Sequence, residues 1–93
     1  MKTIKFDNFV YDLVYDPVKQ NPLVRITIVN TNLDIVDVAT KVRNHDSIEV
    51  LDESGELFQS YEGYTDLVTI QRFDDYPIGE DTGSVFSIEL AKV

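Results

Sequence analysis

The sequence predicts an α+β domain: an antiparallel sheet of about six to seven strands with one helix packed on one face. Three observations lead there. Most apolar runs alternate with polar residues at a period of two, as half-buried strands do. One segment, Leu33 to Asn44, follows the helical period instead. Pairs containing Pro, Gly, Asn and Asp separate the runs and mark turns. An all-β arrangement is the alternative, because the helical segment is rich in β-branched residues that also suit a strand.

Thr3 to Phe6 and Phe9 to Tyr15 open the chain as short strands; in the second, Phe9, Tyr11, Leu13 and Tyr15 alternate with Val10, Asp12 and Val14. Asp16-Pro17 and Asn21-Pro22 bracket a seven-residue loop, since each proline lacks an amide donor and restricts the residue before it. Leu23 to Asn30 returns as a strand, with Val24, Ile26 and Ile28 on one face and Arg25 and Thr27 on the other. At about 100° per residue, Ile35, Val36, Val38, Ala39 and Val42 fall within an arc of about 160°, opposite Asp34, Asp37, Thr40 and Lys41. This predicts a helix over 33–44, capped by Thr31 or Asn32, with acids near its positive end and Lys41 and Arg43 near its negative end. A four-strand meander follows: Ser47 to Leu51, Leu57 to Tyr61, Thr65 to Phe73 and Ser84 to Lys92. Asp52 to Gly55 turns the first corner and Glu62-Gly63 the second, while Asp74 to Gly83 reads as a longer loop.

Composition narrows the function. The 93 residues suit one domain, and 43% hydrophobic residues with 11% aromatics exceed what a disordered chain carries. The absence of cysteine excludes disulfides, thiolate metal sites and thiol nucleophiles, and leaves the redox compartment unread. No apolar run reaches the roughly 20 residues of a membrane span, and the first residues lack the pattern of a secretory leader. The expectation is a cytoplasmic location. The net charge is -9, and it is lopsided: residues 1–43 carry six basic and five acidic side chains, whereas residues 44–93 carry twelve acidic ones against Arg72 and Lys92 alone. Such a field repels phosphate backbones and anionic lipid, which argues against direct nucleic-acid or membrane binding.

Chemistry finds little to build on. The one histidine, His45, lies between helix and strand beside Asp46, and its ordinary role there is a solvated or capping one. "DESGE" places Asp52, Ser54 and Glu56 at alternate positions, but its glycine comes fourth rather than sixth and Gly63 occupies the twelfth place, where a helix-loop-helix calcium site needs glutamate. Asp74, Asp75, Glu80 and Asp81 fail the same test. No glycine pattern cradles a phosphate. The expectation is therefore no enzyme, no cofactor and no metal.

Partner binding is the remaining reading. Tyr61, Tyr64, Phe73 and Tyr76, bordered by acids, would make an aromatic patch if exposed, although at least two of them suit the core. The candidate contact residues are Asp52, Glu53, Glu56, Tyr61, Glu62, Tyr64, Asp74, Asp75 and Tyr76. The expected partner is another protein, with a basic surface or a second copy of the chain both in view.

The stretch "DSIEVLDESGELFQSYEGYTDLVTIQRF" resembles small proteins encoded in phages and prophages of Gram-positive bacteria, which share a short amphipathic helix, a strand ending in an acidic turn, a "GY" corner and an alternating strand. The likeness covers Leu33 to Phe73 and carries no catalytic residue. It implies a non-enzymatic virion, tail-region or assembly-associated protein that binds another protein, located in the cytoplasm of a bacterial host or incorporated in a phage particle. The alternative is an inhibitor that mimics nucleic acid, with Asp46, Glu49, Asp52, Glu53, Glu56, Glu62, Asp66, Asp74 and Asp75 standing in for phosphates.

Overall fold

The computed structural model describes residues Met1–Val93. Its elements are β1 (Thr3–Phe6), β2 (Phe9–Asp12), β3 (Val18–Gln20), β4 (Leu23–Val29), α1 (Ile35–Arg43), β5 (Ile48–Leu51), β6 (Leu57–Tyr61), β7 (Asp66–Ile78) and β8 (Asp81–Ala91). The mostly antiparallel α+β class holds, but the strands form two four-stranded sheets, ordered β2-β1-β5-β6 and β3-β4-β8-β7, rather than one sheet of six to seven.

Length explains the correction. A nine-residue helix is about 13 Å long, while seven paired strands span about 29 Å. The helix cannot cover such a face, so a second sheet does. Ile4, Phe6, Tyr11, Ile48, Val50 and Tyr61 of the first sheet share one buried cluster with Val24, Ile26, Ile28, Phe86, Ile88 and Leu90 of the second. α1 packs along β7 and adds Val38 and Val42 to that cluster. The radius of gyration, 12.3 Å, equals the value of about 12 Å expected of a compact domain this long.

The chain changes sheets at Leu13. Of the predicted apolar face from Phe9 to Tyr15 only Tyr11 and Leu13 are buried, Phe9 and Tyr15 being 43% and 41% exposed, and the hydrogen-bonding partner switches midway: Thr3 pairs with Asp12, then Leu13 bridges Ile28 and the Val14 amide donates to the Thr27 carbonyl at 3.0 Å. What reads as one strand thus serves both sheets. The following loop holds the short strand β3, paired with β4 from Val18↔Arg25 to Gln20↔Leu23.

The helix is shorter than 33–44 and is capped by Asp34, whose Oδ1 accepts from the Val36 amide at 3.1 Å, not by Thr31 or Asn32. Asn32 instead adopts a φ of 60° in the turn before it. Val38, Ala39 and Val42 are buried, but Val36 is 67% exposed, so the apolar face is narrower than the periodicity suggests.

Asp74 to Gly83 is no loop. β7 and β8 form one long hairpin, with Tyr76↔Gly83, Pro77↔Thr82 and Ile78↔Asp81 paired beside the turn at Gly79. Proline misleads here because β7 is an edge strand, where a missing amide donor is tolerated. The register shift between Phe73 and Tyr76 is absorbed where Asp75 takes a φ of 55°.

Candidate functional site

The acidic turn between β5 and β6 is built around its own carboxylate. Asp52 accepts from the Ser54 amide at 2.9 Å, the Ser54 hydroxyl at 2.6 Å and the Glu56 amide at 3.0 Å. These donors, the Ser54 hydroxyl foremost, hold its carboxyl below the ordinary carboxylate range. Gly55 supplies the positive φ of 88° that closes the turn. Glu53 meets the Met1 amino group at 3.3 Å. Of the three candidates in this turn, only Glu56 keeps a carboxylate free of hydrogen bonds and ion pairs.

Tyr61 and Tyr64 belong to the core, 7% and 2% exposed, with rings edge to face at 6.1 Å. Burial pushes the Tyr61 phenol up. Tyr64 follows Gly63, whose φ of 82° turns the chain out of β6, and it joins the buried cluster with Lys19 and Lys92 5.9 and 5.7 Å from its ring. These two tyrosines are unavailable as an exposed patch because the turn that bears them crosses between the sheets.

Asp74, Asp75 and Tyr76 lie on the second sheet. Asp74 pairs with Arg72 at 3.0 Å, and that guanidinium holds its carboxyl low. Tyr76 packs beside Phe73, centroids 6.5 Å apart, and its hydroxyl meets that of Tyr15 at 2.9 Å. The nine candidates therefore divide among the two opposite ends of β6 and the C-terminal part of β7; the fold does not assemble them into one site.

His45 caps as expected but is not solvated: it is 6% exposed, its Nδ1 donates to the Val42 carbonyl at the helix end, and its ring stands edge-on to Phe6 at 5.4 Å. Beside it, Asp7 has a role that composition did not reveal. Its carboxylate accepts from the Asp46 amide at 3.0 and 3.1 Å and from the Ser47 amide at 3.0 Å, which draws its pKa below the ordinary value. Asp7 takes a φ of 56° to reach them, and "FDNF" between two short apolar runs is the signal that could have marked this turn.

Two surfaces remain. The first is β6, an edge strand with Leu57 59% and Phe58 50% exposed. A register shift opposite Val50 and Leu51 inserts an extra residue here and bends the strand. Next to Leu57 a shallow groove of about 560 Å³ runs over β5 and β6, bordered by Asp46, Glu49 and Glu62. None of these three carboxylates is in an ion pair. The second is a hollow of about 290 Å³ on the outward face of the second sheet, between Tyr15, Tyr76, Phe73, Arg25 and Glu89.

No three His, Asp or Glu side chains converge in a way that could hold a metal ion, and no helix is long and apolar enough to cross a membrane. Comparison of the chain with protein-family models, with curated proteins and with solved structures gives no match.

Proposed function

We propose that the chain is a non-enzymatic protein-binding module that adds an extended, basic segment of a partner to the free edge of β6. The observation that carries this reading is a strand with one unpaired edge, displaying Leu57 and Phe58, beside a groove whose three carboxylates lack cations. Free strand edges offer rows of amides and carbonyls that a partner strand satisfies. Alternate side chains of that strand would rest on Leu57 and Phe58, and its Lys or Arg residues would reach Asp46, Glu49 and Glu62. The resemblance of Asp46 to Phe73 to small phage and prophage proteins favours reading such a module as part of a virion, a tail region or an assembly step.

Mimicry of nucleic acid draws less support from the same geometry. A mimic needs one continuous array of free carboxylates, whereas Asp52 is committed to its turn, Glu53 to Met1 and Asp74 to Arg72. A titration of the full chain with octapeptides alternating Lys and Val tests the proposal. Binding should weaken at high salt and fall in Phe58→Ala and in the double variant Glu49→Lys with Glu62→Lys. Equal binding of a Glu-Val octapeptide, or indifference to both variants, would defeat it.

A further inference from the structure

Strand register lays out a grid on the outward face of the second sheet. Arg25, Glu89 and Thr69 form one row across β4, β8 and β7; Thr27, Ser87 and Gln71 form the next; Val29, Val85 and Phe73 form the third. Successive rows are about 7 Å apart and neighbouring strands about 4.8 Å. The face therefore steps, within about 14 Å, from charged through hydroxyl and amide to apolar.

Tyr15, just past the point where the chain changes sheets, roofs part of this grid. Its hydroxyl accepts from Thr27 Oγ1 at 3.1 Å and meets the Tyr76 hydroxyl at 2.9 Å. Thr27 and Val85 are 2% and 0% exposed although they point away from the sandwich core. What stays open beside the tyrosine pair is the hollow of about 290 Å³, at the lower end of the size range of small-molecule sites.

Its chemistry selects a ligand class. Arg25 Nη2 and Glu89 Oε2 face each other at 3.7 Å, so the charged row is neutral overall and favours neither an anion nor a cation. Arg25 offers only donors and Glu89 only acceptors, while Gln71 and Ser87 offer both. A ligand that satisfies all four must itself present donors and acceptors side by side, as adjacent hydroxyls do. Phe73, 43% exposed, adds a flat apolar surface at the other end, against which the C–H face of a sugar ring can lie. A phosphate-bearing ligand would meet the field of a chain with net charge -9, and a wholly apolar one would strand the charged row without water.

We propose that this hollow binds a single neutral saccharide unit, with its hydroxyls toward Arg25, Glu89, Gln71 and Ser87 and one face of its ring on Phe73. The site is open on one side, so the affinity is about millimolar, as a ligand of this size gives without full enclosure. It lies on the sheet opposite the β6 edge, so it stands or falls separately from the protein-binding surface.

The test is amide chemical-shift titration of the full isotope-labelled chain with glucose, galactose, mannose and N-acetylglucosamine, each taken to about 50 mM, well above a millimolar dissociation constant. At least one sugar should give saturable shifts centred on Gln71, Phe73, Ser87 and Glu89. Phe73→Ala and Gln71→Ala, both at exposed positions, should each weaken it about fivefold to tenfold with amide dispersion unchanged, and Phe58→Ala on the other sheet should bind as before. The proposal is overturned by any of three results: no saturable shift with all four sugars, shifts that map elsewhere, or full affinity in both hollow variants.

Discussion

The two sheets reach stability by different routes. The first is made of strands of four or five residues whose corners are fixed by carboxylates: Asp7 gathers the amides that lead into β5, and Asp52 gathers those that open β6. The second rests on the long hairpin of β7 and β8, with its register shifted twice but carried over nearly its whole length. A short strand forms few ladder hydrogen bonds, so each turn must hold its own geometry. A long hairpin distributes that task along the strands, and it tolerates Pro77 and a bulge at Asp75.

This contrast can be tested from its largest consequence downward. Phe6→Ala in the first sheet and Phe86→Ala in the second each remove a fully buried ring from one shared core. Each should cost about 3–5 kcal/mol, with both sheets melting together in urea followed by circular dichroism and amide signals. Loss of one sheet's signals alone would show that the core is divided. Leu13→Ala, where the chain passes between sheets, should cost about 2–4 kcal/mol and expose the Val14 amide, which donates to the Thr27 carbonyl, to hydrogen exchange first. Gly55→Ala forces a side chain onto a φ of 88° in open space and should cost about 1–2 kcal/mol in thermal unfolding.

Acid separates the sheets more finely. Asp7 and Asp52 have pKa values lowered in the folded state, so the unfolded chain takes up their protons first. Their stabilisation is complete above the ordinary carboxylate value of about 4 and is lost as pH falls below it through the folded values. Amide exchange between about pH 4 and pH 2 should therefore release Asp46, Ser47, Ser54 and Glu56 ahead of the β8 amides. Asp74 is lowered as well, but its partner Arg72 and its own side chain are 58% and 62% exposed, and water screens an exposed pair. Simultaneous release of both sheets would remove the distinction. The smallest effect is expected from Tyr15→Phe, which takes one hydroxyl from the Thr27–Tyr15–Tyr76 chain and should cost about 1 kcal/mol or less in a denaturant titration.

Local chemistry was legible in the chain. Period-two alternation placed most of the strands, the 3.6 period placed the helix to within two residues at its start, and Asp52 to Gly55 announced its turn, because each depends on neighbours in sequence. Asp74 to Gly83 misled for a local reason too: Pro and Gly mark breaks unless a strand lies at an edge, and edges are a property of the assembled sheet. The candidate site was legible only in part. Its acids and aromatics were visible as residue types, but Tyr61 and Tyr64 went into the core and Leu57 and Phe58 came to the surface.

By itself the sequence determined where most of the strands begin, which segment coils, that Asp52 to Gly55 and Glu62-Gly63 turn the chain, and that the acidic side chains crowd into residues 44–93. Tertiary structure decided that the strands divide into two sheets, that Leu13 joins them, and that Arg25, Glu89, Gln71 and Phe73 share one face. Residues tens of positions apart meet only through register and sheet order, which are set by burying both inner faces at once, and no local pattern records that choice.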